Sequence, residues 1–224
     1  MPLKKTDIDT TVSRYTERYR QFGYSPKTLG WDKGKQDLRF AILTSAMDPE
    51  ERTMLDIGCG FGDLISFLDR RCGSYHYVGI DLVPQLIETA KERHPQHEFF
   101  CGDFLSSSFR QECSYAVGSG IFNFKLKEGD NYDYIDAVIG KALRLSSLGV
   151  AFDFLSDKVD YRYEHTFHSS PSRVLDIAYQ YSKNIVLRND YMPFEFSVFI
   201  TKDMSFDKSD TIFTEFKKRT GLSQ

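Results

Sequence analysis

At Gly58 an apolar run breaks into closely spaced glycines: Leu55-Asp56-Ile57-Gly58-Cys59-Gly60-Phe61-Gly62-Asp63. Glycines at 58 and 60 let a strand turn sharply and bring bare backbone close to a ligand, while Gly62 opens the helix that follows. Downstream, short apolar runs alternate with amphipathic stretches, as in a parallel sheet covered on both faces. Strands are predicted over 54–57, 75–80, 98–101, 115–119 and 149–155. Helices are predicted over 62–71, 84–94 and 131–145, the last with Ile135, Val138, Ile139 and Leu143 inward and Asp130 in position to cap it. Ser170 and Pro171 start another helix by cap and first-turn preference. Two last apolar segments, 184–187 and 195–200, lie close enough to form an antiparallel hairpin.

Ahead of the glycine turn, 9–21 reads as a charged helix stopped at Gly23, and 35–46 as a second, with Leu38, Ile42 and Leu43 on one face. The loop between them holds Pro26, Gly30, Gly34 and the single tryptophan, Trp31. No repeat or linker interrupts the chain. One domain over 1–224 is expected, with an N-terminal helical cap over 1–46 and a ligand-binding core over 47–224 that carries a lid after the fifth strand.

The 29 basic and 32 acidic residues leave a net charge of −3, so no field draws this chain toward nucleic acid or anionic membrane. Its 19 Phe and 13 Tyr exclude a solvated coil. Cys59, Cys72, Cys101 and Cys113 build neither a CxxC pair nor a zinc pattern. They read as thiols in a reducing compartment, with Cys59 and Cys101 serving packing, and no metal is expected. The polar N-terminus is no signal peptide, and no run reaches membrane length. A cytoplasmic location follows as the expectation.

Asp81 ends the second strand 23 residues after Gly58, where a carboxylate can accept from both ribose hydroxyls. Asp103, in Cys101-Gly102-Asp103-Phe104, can accept from an adenine amino group. Three ligand-facing groups at the carboxyl ends of three successive strands describe an adenosine site. An NAD enzyme is the weaker alternative, because the spacing is G-x-G-x-G and not the full dinucleotide fingerprint.

With these residues in place, the sequence resembles the class I S-adenosylmethionine (SAM) dependent methyltransferases over about 54–200. The glycine loop, Val78-Gly79-Ile80-Asp81-Leu82, Gly102-Asp103-Phe104 and Gly118-Ser119-Gly120-Ile121-Phe122-Asn123 look like that family's successive motifs. The resemblance implies SAM as cofactor, with Gly58 and Gly60 beside its methionine part, Asp81 and Leu82 at the ribose, and Gly102, Asp103 and Phe104 at the adenine. Asp56 would orient the loop and Ser119 would border the site. The Trp31 loop would fold over SAM. Arg39, on the helix just before the first strand, is either a partner for the SAM carboxylate or a charge on a solvated helix face. The expected fold class is α/β: a Rossmann-like, doubly wound, mainly parallel seven-stranded sheet with a C-terminal antiparallel hairpin.

Methyl transfer from a sulfonium is an in-line displacement, so the protein mainly aligns nucleophile, methyl and sulfur. An amine or hydroxyl acceptor must also lose a proton. Tyr161-Arg162-Tyr163-Glu164-His165-Thr166-Phe167-His168 follows the fifth strand and supplies His165 and His168 as candidate bases. They share a face if the segment is helical and diverge if it is extended. Tyr161, Tyr163, Phe167 and Tyr191 are candidates for an acceptor wall. No Asn/Asp-Pro-Pro-aromatic tetrad follows the fourth strand, and no RNA-binding module is appended. The expected acceptor is a small molecule methylated at oxygen or nitrogen; an RNA methyltransferase and a non-catalytic SAM-binding module are the alternatives.

Overall fold

The computed structural model describes residues 3–30 and 34–221, so the expectation for Trp31 lies outside the described residues. Helices α1 (Lys5–Phe22) and α2 (Gln36–Thr44) precede a β/α alternation: β1 (Thr53–Ile57), α3 (Asp63–Leu68), β2 (His76–Asp81), α4 (Pro84–Arg93), β3 (Glu98–Cys101) and β4 (Cys113–Gly118). Then follow α5 (Asn131–Leu145), β5 (Ser146–Leu155), α6 (Pro171–Tyr179), β6 (Ile185–Arg188), β7 (Glu195–Thr201) and α7 (Thr214–Thr220). The seven strands form one sheet in the order β3-β2-β1-β4-β5-β7-β6. The first five are mutually parallel, and β7 runs antiparallel to both β5 and β6. Strand order reverses between β1 and β4, and in open α/β sheets ligands bind beyond the carboxyl ends of the strands at such a point.

Because strand side chains alternate between faces, the sheet sorts its residues into two layers. Leu55, Ile57, Val78, Ile80, Ala116, Phe152, Phe154, Phe196 and Val198 face α5 and α6. Met54, Tyr77, Val117, Ala151 and Phe199 face the layer of α2, α3 and α4. The same alternation carries Asp56, Asp153, Glu195 and Ser197 onto that second face, and all four are buried.

Asp130 caps α5 as expected, accepting from Tyr132 N at 2.7 Å and Asp133 N at 3.1 Å. Three expectations change, and one element was not expected. Ser170 does precede α6, but its hydroxyl pairs with Ser172 Oγ and caps no backbone N–H. Leu38 is exposed, because α2 turns Arg39 and Phe40 inward instead. Cys101 is exposed at the end of β3, so packing is served by Cys59 and not by Cys101. The short helix α7 had no counterpart among the predicted elements: none of its residues is buried, so it has no apolar stripe to read.

Candidate functional site

Gly58, Gly60 and Gly62 have φ of 73°, 55° and 74°, the left-handed region that favours glycine. The space a Cβ would take at Gly58 is filled by Ile121, and that at Gly60 faces Leu29 of the α1–α2 connection. Bare backbone at these positions therefore admits protein side chains, whereas the sequence suggested room for ligand. Both glycines nonetheless line the cleft.

Asp81 ties this loop to the next one. Its Oδ2 accepts from Gly60 N at 3.0 Å and its Oδ1 from Val83 N at 2.9 Å. A carboxylate has about four acceptor sites, and with the Leu82 N–H also acting on this one, capacity remains for a further donor from the cleft. Burial raises its pKa, while the bonds from Val83 and Gly60 act the other way. Asp56 stands behind the loop, accepting from Tyr77 Oη at 2.7 Å, and burial pushes its pKa up to about 7. Asp103 commits Oδ1 to Leu105 N at 2.9 Å, while Leu82, Gly102 and Phe104 complete that stretch of wall.

Beyond β4, Ser119 Oγ and Gly120 N both donate to Asp153, each at 2.6 Å. Burial and the nearby Glu195 charge push the Asp153 pKa up to about 6, against the bonds from Ser119 and Gly120. Sequence reasoning passed over this residue, although a single carboxylate between Phe152 and Phe154 in an apolar strand was the available signal. Arg39 reaches the cleft wall, where Glu195 engages its guanidinium: Nε donates to Oε2 at 2.8 Å and Nη2 to Oε1. The Arg39 charge is thus already matched by a carboxylate of the fold.

Helix α1 roofs the cleft with Thr11, Arg14, Tyr15 and Arg18. The Arg14 guanidinium lies 4.0 Å from the Phe124 ring centroid, and Tyr15 meets the same ring edge-on at 6.1 Å. This roof had no sequence signature, since it depends on how a charged helix docks. The segment after β5 is not helical: Thr166 N donates to Tyr163 O at 3.1 Å across a turn at Glu164 and His165, Thr166 bridges Phe124, and Phe167 N donates to Asn123 O at 3.0 Å. His165 stands in the turn and His168 two residues beyond the Thr166 bridge, so they share no helical face, and both line the cleft. His165 is exposed, with its ring stacked on Phe124. His168 is half-buried, with Nδ1 2.8 Å from Ser156 O and Nε2 3.1 Å from Thr166 Oγ1. Tyr161 and Tyr163 line the cleft, whereas Phe167 packs on Tyr132 and Tyr191 pairs with Ser197 Oγ. Asn123 Oδ1 is buried in the cleft wall without a hydrogen-bond partner among the described residues. The described residues hold no cluster of three or more His, Cys, Asp or Glu that could bind a metal. No described helix is long and apolar enough to cross a membrane.

Fold and site together define an α/β domain with a large cleft at the β1/β4 reversal. Comparison with known proteins gives the family. Residues 54–143 match the family model described as a methyltransferase domain. The chain is 31% identical over 169 residues to Rv1506c of Mycobacterium tuberculosis, a protein carrying a methyltransferase name; the match spans 71% of this chain and 98% of that one. Magnesium protoporphyrin IX methyltransferase from Synechocystis PCC 6803, with bound SAH, superimposes with a TM-score of 0.65 at 12% identity, covering 89% of this chain and 100% of that one. A TehB-like SAM-dependent methyltransferase from Corynebacterium glutamicum gives a TM-score of 0.56 at 21% identity, covering 87% and 100%. The chain belongs to the class I SAM-dependent methyltransferases, and its cofactor is SAM.

Proposed function

We propose that this enzyme methylates an oxygen or nitrogen of a small molecule. The observation that carries the reading is the extent of the cleft. Its volume is 1360 Å³, and it runs without a break from the glycine loop, Asp81 and Asp103 to the segment after β5. Ligand pockets commonly measure roughly 300–1,000 Å³, so there is room for a cofactor and a compact second ligand under one roof. Asp56, Gly58, Gly60, Asp81, Leu82, Gly102, Asp103, Phe104, Ser119 and Arg39 would form the cofactor half. Oxygen-rich walls with an uncommitted acceptor at Asp81 and an orphan Asn123 Oδ1 suit a ligand rich in hydroxyl and amino donors. When bound, SAM supplies an activated methyl group on a sulfonium.

The chain's own part is to bind, orient and take up a proton. His165 has no side-chain hydrogen bond among the described residues, which leaves its ring nitrogens to meet an acceptor directly. His168 donates Nδ1–H to Ser156 O, so its basic nitrogen is Nε2, and Thr166 Oγ1 stands in front of it. Tyr161, Tyr163 and Phe194 border the acceptor end. A net charge of −3 and four free thiols, one of them exposed, support a small-molecule enzyme of the cytoplasm over an RNA or membrane-surface enzyme.

The test begins with thermal unfolding in SAM, S-adenosylhomocysteine (SAH) and NAD. Ligand at about 100 times its dissociation constant should raise the melting temperature by roughly 5–10 °C for the two SAM species alone. A screen of small hydroxyl and amine metabolites, set against transfer RNA and ribosomal RNA, then reads SAH release. Turnover with RNA only would replace this reading with the RNA alternative, and SAM binding without turnover would favour the non-catalytic one.

A further inference from the structure

Helix α5 packs on the sheet through Ile135, Val138, Ile139, Ala142 and Leu143, and it buries one cation among them. Lys141 is 9% exposed, and its ammonium donates to Phe104 O at 2.5 Å and to Ser106 O at 2.6 Å. The same nitrogen lies 5.0 Å from the Phe104 ring centroid and 5.6 Å from that of Phe109. Its hydrogen-bond partners are thus two carbonyls of one short segment and no carboxylate.

Withdrawing an ammonium from water without an opposite charge to meet it is unfavourable, and an apolar side chain of similar length would fill the space without that cost. Burial correspondingly pulls the Lys141 pKa below the ordinary lysine value, with the Asp103 charge acting the other way. What the charge secures is the geometry of the 103–106 segment. From inside, that segment is held by Asp103 Oδ1 on Leu105 N; from behind, it is held by Lys141 on the two carbonyls. Between these fixed points, the Asp103 carboxylate and the Phe104 ring line the cleft.

We propose that Lys141 is a positioning residue for the adenine end of the cofactor site, acting through Phe104 and Asp103 without touching the ligand. This inference rests on the reading of Asp103 as the group that accepts from the adenine amino group. If the segment is held for that purpose, removing the ammonium should blunt the recognition of the base more than it weakens the fold.

The experiment is calorimetric titration of the full chain with SAH and with S-inosylhomocysteine, in which a carbonyl replaces the 6-amino group. The wild type should prefer SAH by about tenfold or more, the equivalent of one hydrogen bond worth about 1.4 kcal/mol. Lys141→Met should lose about tenfold in SAH affinity and bind the two ligands within about twofold of one another, with S-inosylhomocysteine affinity nearly unchanged. Lys141→Gln keeps one donor and should fall between; it decides the matter if the methionine variant does not fold. Wild-type preference retained in a folded variant would make Lys141 a packing residue and overturn the inference. A wild type that binds both ligands equally would remove Asp103 as the adenine reader, and Lys141 with it. A wild type that binds neither would instead defeat the functional reading itself.

Discussion

Ile121 rests directly on Gly58: a Cβ at position 58 would lie 2.4 Å from Ile121 Cγ2. The two residues join the β1 loop to the β4 loop, and Asp153 in turn holds the β4 loop through Ser119 and Gly120. A side chain at 58 would meet both this clash and a φ of 73°. Left-handed backbone costs about 1–2 kcal/mol for a residue with a Cβ, and overpacking another 1–3. Gly58→Ala should therefore lose about 2–5 kcal/mol in urea unfolding. Adding Ile121→Ala should recover the steric part and leave the backbone part; recovery of all of it, or none, would show that one of these two causes is absent.

Asp81→Ala should abolish SAM binding in calorimetry while leaving a folded domain. The substitution strips the acceptor from Gly60 N and Val83 N, a loss of about 1–3 kcal/mol for each group that stays dry, and less where the cleft hydrates them. Unchanged SAM affinity in the variant would remove Asp81 from the ribose.

Asp56 makes stability depend on pH in a definite direction. Its pKa is about 7 in the fold against an ordinary 3.8, so the native state holds the proton more tightly than the unfolded chain does. Stability is then highest below the unfolded value and erodes as pH climbs through the folded one. Between about pH 5 and pH 8 the Asp56 contribution should fall by roughly 2–3 kcal/mol. Asp56→Asn, which keeps a carbonyl oxygen for Tyr77 Oη, should shrink the difference between the two pH values by about that amount. An unaltered difference would mean that Asp56 is already charged in the fold at the lower pH. Asp153, at about 6, acts in the same direction and remains in both proteins.

Arg39 and Glu195 are both buried. Breaking such a pair from one side strands the other charge, at about 3–5 kcal/mol, so Glu195→Leu should be strongly destabilising. Arg39→Met combined with Glu195→Leu removes both charges and should return most of that loss. The double variant also isolates ligand binding: if it folds and has lost SAM affinity, Arg39 serves the SAM carboxylate. Affinity equal to wild type would confine Arg39 to its structural pairing.

The sheet was legible because its signals are local. Closely spaced glycines, short apolar strand runs and a capped α5 each appear within a few residues, and the order of elements follows from them. The wall of the cleft made by the glycine loop, Asp81 and Asp103 was legible for the same reason, since these residues stand at strand ends. Other parts needed contacts that no short window contains. Asp7, on α1, accepts from Lys127 N at 2.6 Å across 120 residues. Arg39 reads as one more charge on a solvated helix until Glu195, 156 residues away, is seen to receive it. That pairing also explains why α2 turns differently from its apolar periodicity and leaves Leu38 outside. His165 and His168 could be placed at the correct edge of the sheet, but their separate surroundings depend on the turn at His165 and on the bridge between Thr166 and Phe124.

Helix α1 is fastened to the rest of the molecule by the rings of Tyr15 and Tyr19 against Phe124 and Phe61, and by polar bonds: Thr6 to Glu128, Asp7 to Lys127 N, Thr16 to Gln85 and Tyr19 to Thr89. Such bonds exchange readily with water and each contributes only about 0.5–1.5 kcal/mol, so the docking of α1 is a shallow equilibrium compared with the folding of the sheet. A ligand filling the cleft touches both partners of that equilibrium. By thermodynamic reciprocity, whatever the ligand adds to the hold on α1, the docked helix adds to the hold on the ligand. The amides of α1 are therefore where hydrogen exchange should slow most when the cleft is filled, and the departure of products and the lifting of this helix are two views of one free energy.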